Sequence, residues 1–419
     1  MNLSIPLHRI RSYVEQSLIK NGIFILGVNV FPGLVGFFYW KVASLFFTPA
    51  EIGLGAAVLS AAALLSNVAG LGIGIGIVRF IPSTERPAAL VNSALTLAAL
   101  TSTLASLLFA WGTIFWSQDL IILRSRLAYL LSFLFLILFT NLGTILRGVF
   151  VAKRQSSRAF TYTASANLLR LPALSIVLGM GSIGILLSNA IAYGLALLYT
   201  LLYLVPRVIE NYRYQLEIDW RSLKALIPYS FGNFIANVLF QSYTLILPLL
   251  VLHKLGPEAN GYAYIALMAS SLLISPGLSL AFSAYSEGAN DSKMATSSFQ
   301  KAAMISLSIT ILGAGLLMVF APWLLTLFGR SYALHATAIL RWIALASPLM
   351  VLNQIYFNHL RLENRVVLLV ALNLLLASIT LGGSTLLLPL FGITAIGMML
   401  LSGNLVIGLV SIRYLLISI

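Results

Sequence analysis

TPAEIGL at residues 48–54 and GPEANGY at residues 256–262 decide how this chain is organised. Each stretch pairs a turn-forming proline with a nearby glutamate, and each precedes a long apolar segment. They begin 208 residues apart, which is about half of the chain. A period of this length indicates duplication of a multi-helix unit rather than a short solenoid repeat. In membrane proteins, duplicated halves commonly enclose a site at their interface.

Two further pairs of segments keep the same offset. At this offset, residues 107–115 (LLFAWGTIF) align with residues 315–323 (GLLMVFAPW). Residues 147–155 (RGVFVAKRQ) likewise align with residues 355–363 (IYFNHLRLE). A match at one place is weak evidence, but one offset shared by three places is much less easily produced by chance. The pattern therefore predicts two related halves.

The composition is that of an integral membrane protein. Hydrophobic residues make up 60% of the 419 residues, charged residues only 9%, and the mean hydropathy is +0.98. A soluble domain carries about 25% charged residues. The apolar runs are long enough for helices of about 20 residues and lack the alternation of membrane strands. We predict an all-α integral membrane protein. The absence of cysteine excludes disulfides and thiol nucleophiles.

The apolar runs predict twelve spans, six in each half, with a linker between the halves at 207–224. In the first half, residues 1–206, the predicted spans are 22–47, 52–78, 88–116, 120–148, 159–179 and 184–206. In the second half, residues 225–419, they are 225–252, 260–285, 302–328, 332–358, 366–388 and 392–416. The linker is the longest polar connection and has room for a short amphipathic helix.

The basic residues predict the orientation of these spans. With the N-terminus inside, most of the 25 Lys and Arg lie on the inner side. The outer ends hold only Arg124, Arg126, Lys254 and Arg330. The positive-inside rule then places both termini and the linker in the cytoplasm. The net charge of +14 is thus explained by topology, and we predict no nucleic-acid partner.

Three basic residues, Lys41, Arg170 and Arg341, fall within apolar runs. A charge inside the bilayer costs several kcal/mol and usually faces a bundle interior or a water-filled cavity. A purely structural role is the alternative for each of the three. Lys41 lies near a span end and has the length to snorkel to the interface. The guanidinium groups of Arg170 and Arg341 can each donate hydrogen bonds to several neighbouring backbone carbonyls.

The acidic residues show the opposite distribution. All eleven Asp and Glu fall in loops or at span ends, and no span has a carboxylate at its middle. A carrier that binds cations or relays protons usually needs such a buried acid. Buried cations without buried anions instead suit an anionic substrate. Phosphate or diphosphate fits, because arginine holds it through bidentate, charge-assisted hydrogen bonds.

Several amides also lie within spans. Asn233, Asn237 and Gln241 are spaced by four, so they share one helix face and are predicted to line a polar path. Asn29, close to Pro32, is predicted to lie at a kinked cavity wall. Each amide is also explained by a hydrogen bond to a neighbouring helix.

Two patterns do not indicate chemistry. GLGIGIG (70–76) follows no strand and opens no soluble βαβ unit, so we reject a nucleotide loop and expect close helix packing instead. The histidines, at 8, 253, 335 and 359, have no ligand-like spacing. We predict no metal site, no cofactor and no catalytic triad, and hence a protein that is not an enzyme.

Four stretches resemble the bacterial polysaccharide flippases, the O-antigen and exopolysaccharide exporters of the multidrug/oligosaccharidyl-lipid/polysaccharide superfamily. They are FFTPAEIGLGAA, GLGIGIGIVRF, LRGVFVAKRQ and LGPEANGYAYIA. The resemblance implies two pseudo-symmetric six-helix bundles around a central cavity, in the bacterial inner membrane. It also implies movement of a polyprenyl-diphosphate-linked oligosaccharide to the outer leaflet by alternating access, for lipopolysaccharide-type surface polysaccharides. Other polysaccharide assembly proteins and membrane lipid are the expected partners.

The resemblance also implies roles for basic residues. Cationic cavity residues of such flippases are thought to meet the diphosphate and the sugars, and Lys41, Arg170 and Arg341 are the candidates here. Arg79 and Arg147 are expected to guard the inner mouth. A multidrug exporter of the same superfamily is an alternative, although the first span lacks the acidic residue that those exporters often use. A polysaccharide polymerase, a membrane glycosyltransferase and a plain lipid scaffold are further alternatives. The short outer connections disfavour the two enzymes.

Overall fold

The computed structural model describes residues 7–210, 212–290, 295–363 and 365–418, with only the backbone described at some helical positions. Within these ranges the protein is helical and has no strand. The predicted all-α membrane fold is confirmed. Eight helical segments of the described chain are long and apolar enough to cross a membrane by themselves.

The first half contains nine α-helices among the described residues. They are α1 (Leu7–Phe46), α2 (Pro49–Ala69), α3 (Ile73–Phe80), α4 (Pro87–Trp116), α5 (Ile122–Ser125), α6 (Leu127–Ala152), α7 (Ser156–Leu168), α8 (Arg170–Ile176) and α9 (Ser182–Tyr199). A π-helical segment, Thr200–Leu204, extends α9. Helices α2 with α3, and α7 with α8, each form one broken pass, so this half makes six passes.

The second half contains six α-helices in the described ranges. They are α10 (Trp220–Asn290), α11 (Ala295–Thr326), α12 (Arg330–Leu362), α13 (Val366–Ala377), α14 (Gly383–Phe391) and α15 (Thr394–Ser418). A π-helical segment, Ser378–Gly382, joins α13 to α14. Helix α10 breaks at Gly256 (φ 84°, ψ 177°) into two arms, 220–255 and 257–290. Side chains of both arms line one pocket, so the arms fold back on each other and complete six passes.

Two predicted spans are interrupted. The span predicted at 52–78 breaks between α2 and α3, because Leu71 (φ 46°) and Gly72 (φ 70°) adopt left-handed backbone conformations. The span predicted at 159–179 breaks at Leu169, close to Pro172. A proline has no backbone N–H and clashes with the preceding turn, so it commonly breaks or kinks a helix.

The linker has room for a short amphipathic helix, but residues 207–210 and 212–219 form none. Residues 205–210 form turns, residues 212–219 are irregular, and α10 already begins at Trp220. Side chains at the start of α4 satisfy part of the linker backbone. The Asn92 Nδ2 donates to the Arg213 carbonyl (3.0 Å), and the Asp219 amide donates to the Ser93 Oγ (2.8 Å). Pairing with α4 replaces the hydrogen bonds that a helix would have made.

The two repeated stretches, residues 48–54 and 256–262, contact each other. A Cβ on Gly53 would lie 1.7 Å from the Pro257 carbonyl oxygen, and a Cβ on Gly261 would lie 2.1 Å from that of Pro49. The Asn260 Nδ2 donates to the Gly53 carbonyl at 2.7 Å. The contact is reciprocal at the 208-residue offset, as expected where a pseudo-twofold axis relates the halves. We call this contact the glycine crossing, and the end of the bundle that carries it the crossing end.

A capping box starts α2 beside the glycine crossing. The Thr48 Oγ1 accepts a hydrogen bond from the Glu51 amide (3.3 Å), and the Glu51 carboxylate accepts one from the Thr48 amide (2.8 Å). Pro49 occupies the first turn, where its missing N–H costs nothing. The Thr-Pro-Ala-Glu signal therefore sets where α2 begins, and so which glycine meets the second half.

Candidate functional site

A cavity of about 510 Å³ lies at the end of the bundle opposite the glycine crossing. We call this end, which carries loops 81–86 and 153–155, the basic end. The cavity is formed mainly by the α2–α3 break and the second part of α6, with single contributions from α1, α7 and α10. It is lined by Val28, Ser66, Asn67, Gly70, Gly72, Gly74, Ile75, Val78, Arg79, Asn141, Thr144, Arg147, Gly148, Val151, Ala159 and Phe234. This set contains two arginines and no acidic residue.

Glycines let the helices around this cavity approach closely. A Cβ on Gly148 would lie 2.5 Å from the Gly74 carbonyl oxygen, so α6 and α3 touch through their backbones. A Cβ on Gly72 would lie 2.4 Å from the Ser230 carbonyl oxygen on α10. Close packing by the 70–76 stretch is confirmed. Small residues serve this purpose in membrane helices, and here they bring Arg79 and Arg147 to one cavity.

Arg147 has one hydrogen-bond donor that the described residues leave unpaired. It lies in the second part of α6 and is partly buried. Its Nη2 donates to the Thr144 Oγ1 at 3.1 Å, while its Nε is buried and has no hydrogen-bond partner among the described residues. An unpaired buried donor is costly, and more so on a charged group. Arg79, exposed in the last turn of α3, adds a second guanidinium to the same cavity.

Asn67, Asn141 and Thr144 also line the cavity, and they were not predicted as site residues. Asn141, Thr144 and Arg147 recur at a spacing of three, which places them along one face of α6. Asn141 is buried and donates to the Ser102 Oγ at 2.9 Å, which orients its amide at the cavity wall. The spacing was available in the sequence. Asn67, on the other wall, had no comparable signal.

Arg170 lies apart from this cavity, at the packing surface of α1 and α9. Its guanidinium donates to the Asn167 side chain and lies 5.3 Å from the centre of the Tyr39 ring. Tyr39 is fully buried, and its hydroxyl is 2.8 Å from the Ser188 Oγ and 3.0 Å from the Asn189 Nδ2. Arg170 is therefore held by an amide and an aromatic ring. These contacts favour a structural role for Arg170.

Lys41 and Arg341 do not line the cavity either. Arg341 is exposed on α12 and donates its Nε to the Met318 carbonyl on α11 at 3.0 Å. Its neighbours along the helix, Leu334 and Leu345, are 71% and 49% exposed. Lys41 is partly buried near the end of α1. Arg79 and Arg147 are thus brought together, whereas Lys41, Arg170 and Arg341 occupy separate surroundings.

Four predicted site residues have side chains outside the described part of the structure: Asn29, Asn233, Asn237 and Gln241. Their backbones belong to α1 and α10. Val28 and Phe234, the neighbours of the first two, do line the cavity. Assignment of the four amides to the site stays a prediction.

Comparisons with known proteins agree with this architecture. The MatE family model matches residues 233–384, in the second half. A structure of the lipid II flippase MurJ in an inward closed conformation superposes with a TM-score of 0.77 at 14% identity, covering 94% of this chain and 87% of that chain. The chain has the same fold as this structure. No curated protein is similar enough in sequence to count as a match.

Two other solved structures with this fold cover nearly the whole chain. A MOP superfamily transporter from Pyrococcus furiosus, described as having a binding pocket of reversed polarity, superposes with a TM-score of 0.66 at 15% identity, covering 95% of this chain and 94% of that one. The structure of an inward-facing multidrug resistance MATE transporter superposes with a TM-score of 0.66 at 14% identity, covering 94% of this chain and 93% of that chain. Because each of these structures is less than 25% identical to this chain in sequence, the likeness establishes the fold, two pseudo-symmetric helical bundles, and does not establish a substrate.

Proposed function

We propose that this protein is a flippase that moves a polyprenyl-diphosphate-linked oligosaccharide from the cytoplasmic to the outer leaflet by alternating access. The observation that carries the proposal is the cavity at the basic end, which is lined by Arg79 and Arg147 and by no carboxylate. The likeness in fold to the lipid II flippase MurJ supports it. Location in a bacterial inner membrane, cytoplasmic termini and polysaccharide assembly partners remain predictions from the sequence.

The cavity suits the diphosphate part of such a lipid. Arginine binds phosphate oxygens through a planar fork of donors, and each hydrogen bond to a charged group contributes about 1.5–3 kcal/mol. The Nε of Arg147 supplies such a donor without first breaking another hydrogen bond to a described residue. The polyprenyl tail stays in the bilayer, because removing it from hydrocarbon would cost about 0.8 kcal/mol for each CH₂ group.

The arginine cavity supports loading from the basic end. The two halves are in backbone contact at both ends, at Gly53 and Gly261 at the crossing end and at Gly72 and Ser230 at the basic end. The basic end is the one that carries the cavity with the two guanidinium groups. Under the predicted orientation the basic end is cytoplasmic. A charged headgroup would enter there, and the crossing would have to separate before release on the outer side.

Export of drugs or organic cations is the competing function. The MatE family model and the multidrug MATE structures support it through shared sequence pattern and fold. The cavity lining opposes it, since a cation there would meet two guanidinium groups and no compensating carboxylate. Like charges at close range disfavour binding.

Transbilayer movement in proteoliposomes tests the proposal. Purified protein is assayed with a polyprenyl-diphosphate oligosaccharide and with a cationic dye. We expect movement of the lipid without dye uptake, and at least a tenfold loss of lipid movement in Arg147→Ala. Lys153→Ala is the matched control, because Lys153 is an exposed cation just past the end of the same helix and does not line the cavity.

Two results would overturn the proposal. Dye uptake without lipid movement would favour the multidrug exporter. Equal loss of lipid movement in Arg147→Ala and Lys153→Ala would show that the cavity has no special role. Insertion and thermal stability of both variants are measured in parallel, so that a folding defect is not mistaken for a loss of transport.

A further inference from the structure

A second pocket, of about 420 Å³, lies at the crossing end. It is lined by Ile114, Phe115, Ser117, Gln118, Asp119 and His253. All but His253 come from the end of α4 and the turn that follows it, in the first half. His253 lies on the first arm of α10, in the second half. The pocket is therefore built by both halves, at the end where a transported headgroup would leave.

The polar groups of this pocket are not used by the fold. Ser117 is 5% exposed, and its Oγ is buried without a hydrogen-bond partner among the described residues. The structure gives the Asp119 carboxylate and the His253 imidazole no hydrogen bond or ion pair with any described residue. Buried hydroxyls in native proteins are nearly always paired, and an unpaired one costs about 1–3 kcal/mol. The Ser117 Oγ is thus a ready partner for a ligand in the pocket.

The charges in the pocket exclude some ligand classes. The lining contains one carboxylate and no lysine or arginine, so it does not suit phosphate or diphosphate. Three or more His, Cys, Asp or Glu residues that could hold a metal ion do not come together anywhere in the described ranges. A neutral ligand rich in hydroxyl groups fits this lining, since carboxylate, amide, hydroxyl and imidazole all exchange hydrogen bonds with hydroxyls.

The apolar side chains of the pocket, Ile114 and Phe115, indicate which kind of hydroxyl-rich ligand it fits. Phe115 is 75% exposed and Ile114 is 47% exposed. The Phe115 ring packs edge-on against that of Trp111, with centroids 5.8 Å apart. A sugar ring presents C–H groups on its faces and hydroxyls at its edge, so it matches an aromatic wall opposite hydrogen-bonding side chains. Four of the six lining residues are polar, so hydrogen bonds from Ser117, Gln118, Asp119 and His253 would supply most of the recognition.

We propose that this pocket binds a neutral sugar unit of the transported lipid at the crossing end. The inference rests on the proposed function for the identity of the carrier lipid, but binding of the sugar itself needs no diphosphate. The two ends of the protein would then recognise different parts of one substrate. The arginine cavity would hold the diphosphate, and the Ser117–Asp119–His253 pocket would receive a sugar.

Saturation-transfer NMR with free glycosides tests this inference. The probes are the methyl glycosides of glucose, galactose, mannose, rhamnose and N-acetylglucosamine. The full chain is held in lipid nanodiscs without a sugar-based detergent, which would compete for the pocket. We expect transfer to at least one glycoside, with affinity at least tenfold weaker in Asp119→Asn and in Ser117→Ala. Arg124→Ala is the matched control, since Arg124 is exposed in the same connection but does not line the pocket.

The outcomes separate this inference from the proposed function. Transfer that survives Arg147→Ala but not Asp119→Asn supports the sugar pocket, whatever the flipping assay shows. If no probe receives saturation transfer, the inference is overturned. Equal transfer to the glycosides from wild type and from Asp119→Asn also overturns it. A flippase that moves its lipid yet fails these tests would keep the proposed function and lose the sugar pocket.

Discussion

Gly53→Ala should open the crossing end. The added Cβ would lie 1.7 Å from the Pro257 carbonyl oxygen, which belongs to a backbone and cannot rotate away. Because protein interiors are close-packed, restoring ordinary contact at about 3.4 Å requires α2 and α10 to separate by roughly 1.7 Å. A separation of this size also breaks the 2.7 Å hydrogen bond from Asn260 to the Gly53 carbonyl.

The expected energy follows from these two losses. Overpacking a tight contact costs about 1–3 kcal/mol, and an interhelical hydrogen bond in a membrane protein contributes about 0.6–1.7 kcal/mol. Together the two losses come to about 1.6–4.7 kcal/mol, and a difference of about 1.4 kcal/mol changes an equilibrium ratio tenfold. The ratio of closed to open crossing should therefore fall by at least about tenfold.

The absence of cysteine provides a clean assay. Ala56→Cys places one thiol at a fully buried position one turn from Gly53, within the core shared by the two halves. We expect a membrane-impermeant maleimide to label this thiol at least five times faster when Gly53→Ala is added. Gly315→Ala is the control, because a Cβ there meets nothing within 4 Å. Equal labelling in the Gly53 and Gly315 variants, with both proteins stably inserted, would refute the reasoning.

Two other predictions follow from the packing. Gly148→Ala puts a Cβ 2.5 Å from the Gly74 carbonyl oxygen and should separate α6 from α3, so lipid movement in the flipping assay should fall at least tenfold. Transport equal to that of Gly36→Ala, where a Cβ meets nothing within 4 Å, would contradict this. Arg170→Ala removes the cation beside Tyr39 and should lower stability by about 0.5–2 kcal/mol, measured by thermal unfolding in nanodiscs. Arg170→Lys should recover part of that loss, and an unchanged midpoint in both variants would refute it.

The sequence predicted more of the scaffold than of the site. The repeated Pro–Glu stretches predicted two related halves, and the structure places those stretches in contact at Gly53 and Gly261. The glycines at 70–76 were correctly interpreted as packing residues. Helix breaks were harder to predict, because the run through residue 71 is apolar on both sides and carries no proline. The absence of a separate linker helix at 212–219 could not be predicted, since the partners of its backbone lie far away in sequence, on α4.

Which basic residues line the candidate site could not be predicted from their positions along the chain. Lys41, Arg170 and Arg341 stood out because they interrupt apolar runs, yet Arg170 contacts Tyr39 and Arg341 donates to the Met318 carbonyl. Arg79 and Arg147 were expected at the inner mouth from the family resemblance, and they share the cavity. A charge within an apolar run indicates that a partner is needed. It does not indicate whether the partner is a ring, a carbonyl or a ligand.

The sequence by itself determined that this is a helical membrane protein with duplicated halves and carboxylates confined to loops and span ends. These properties depend on the lengths of apolar runs and on the positions of charges along the chain, and both can be counted without knowing how helices pack. Only the tertiary structure decided which charges meet. That depends on helix rotation and on backbone approach at Gly74, Gly148, Gly53 and Gly261, where the absence of a Cβ allows contacts between residues far apart in sequence.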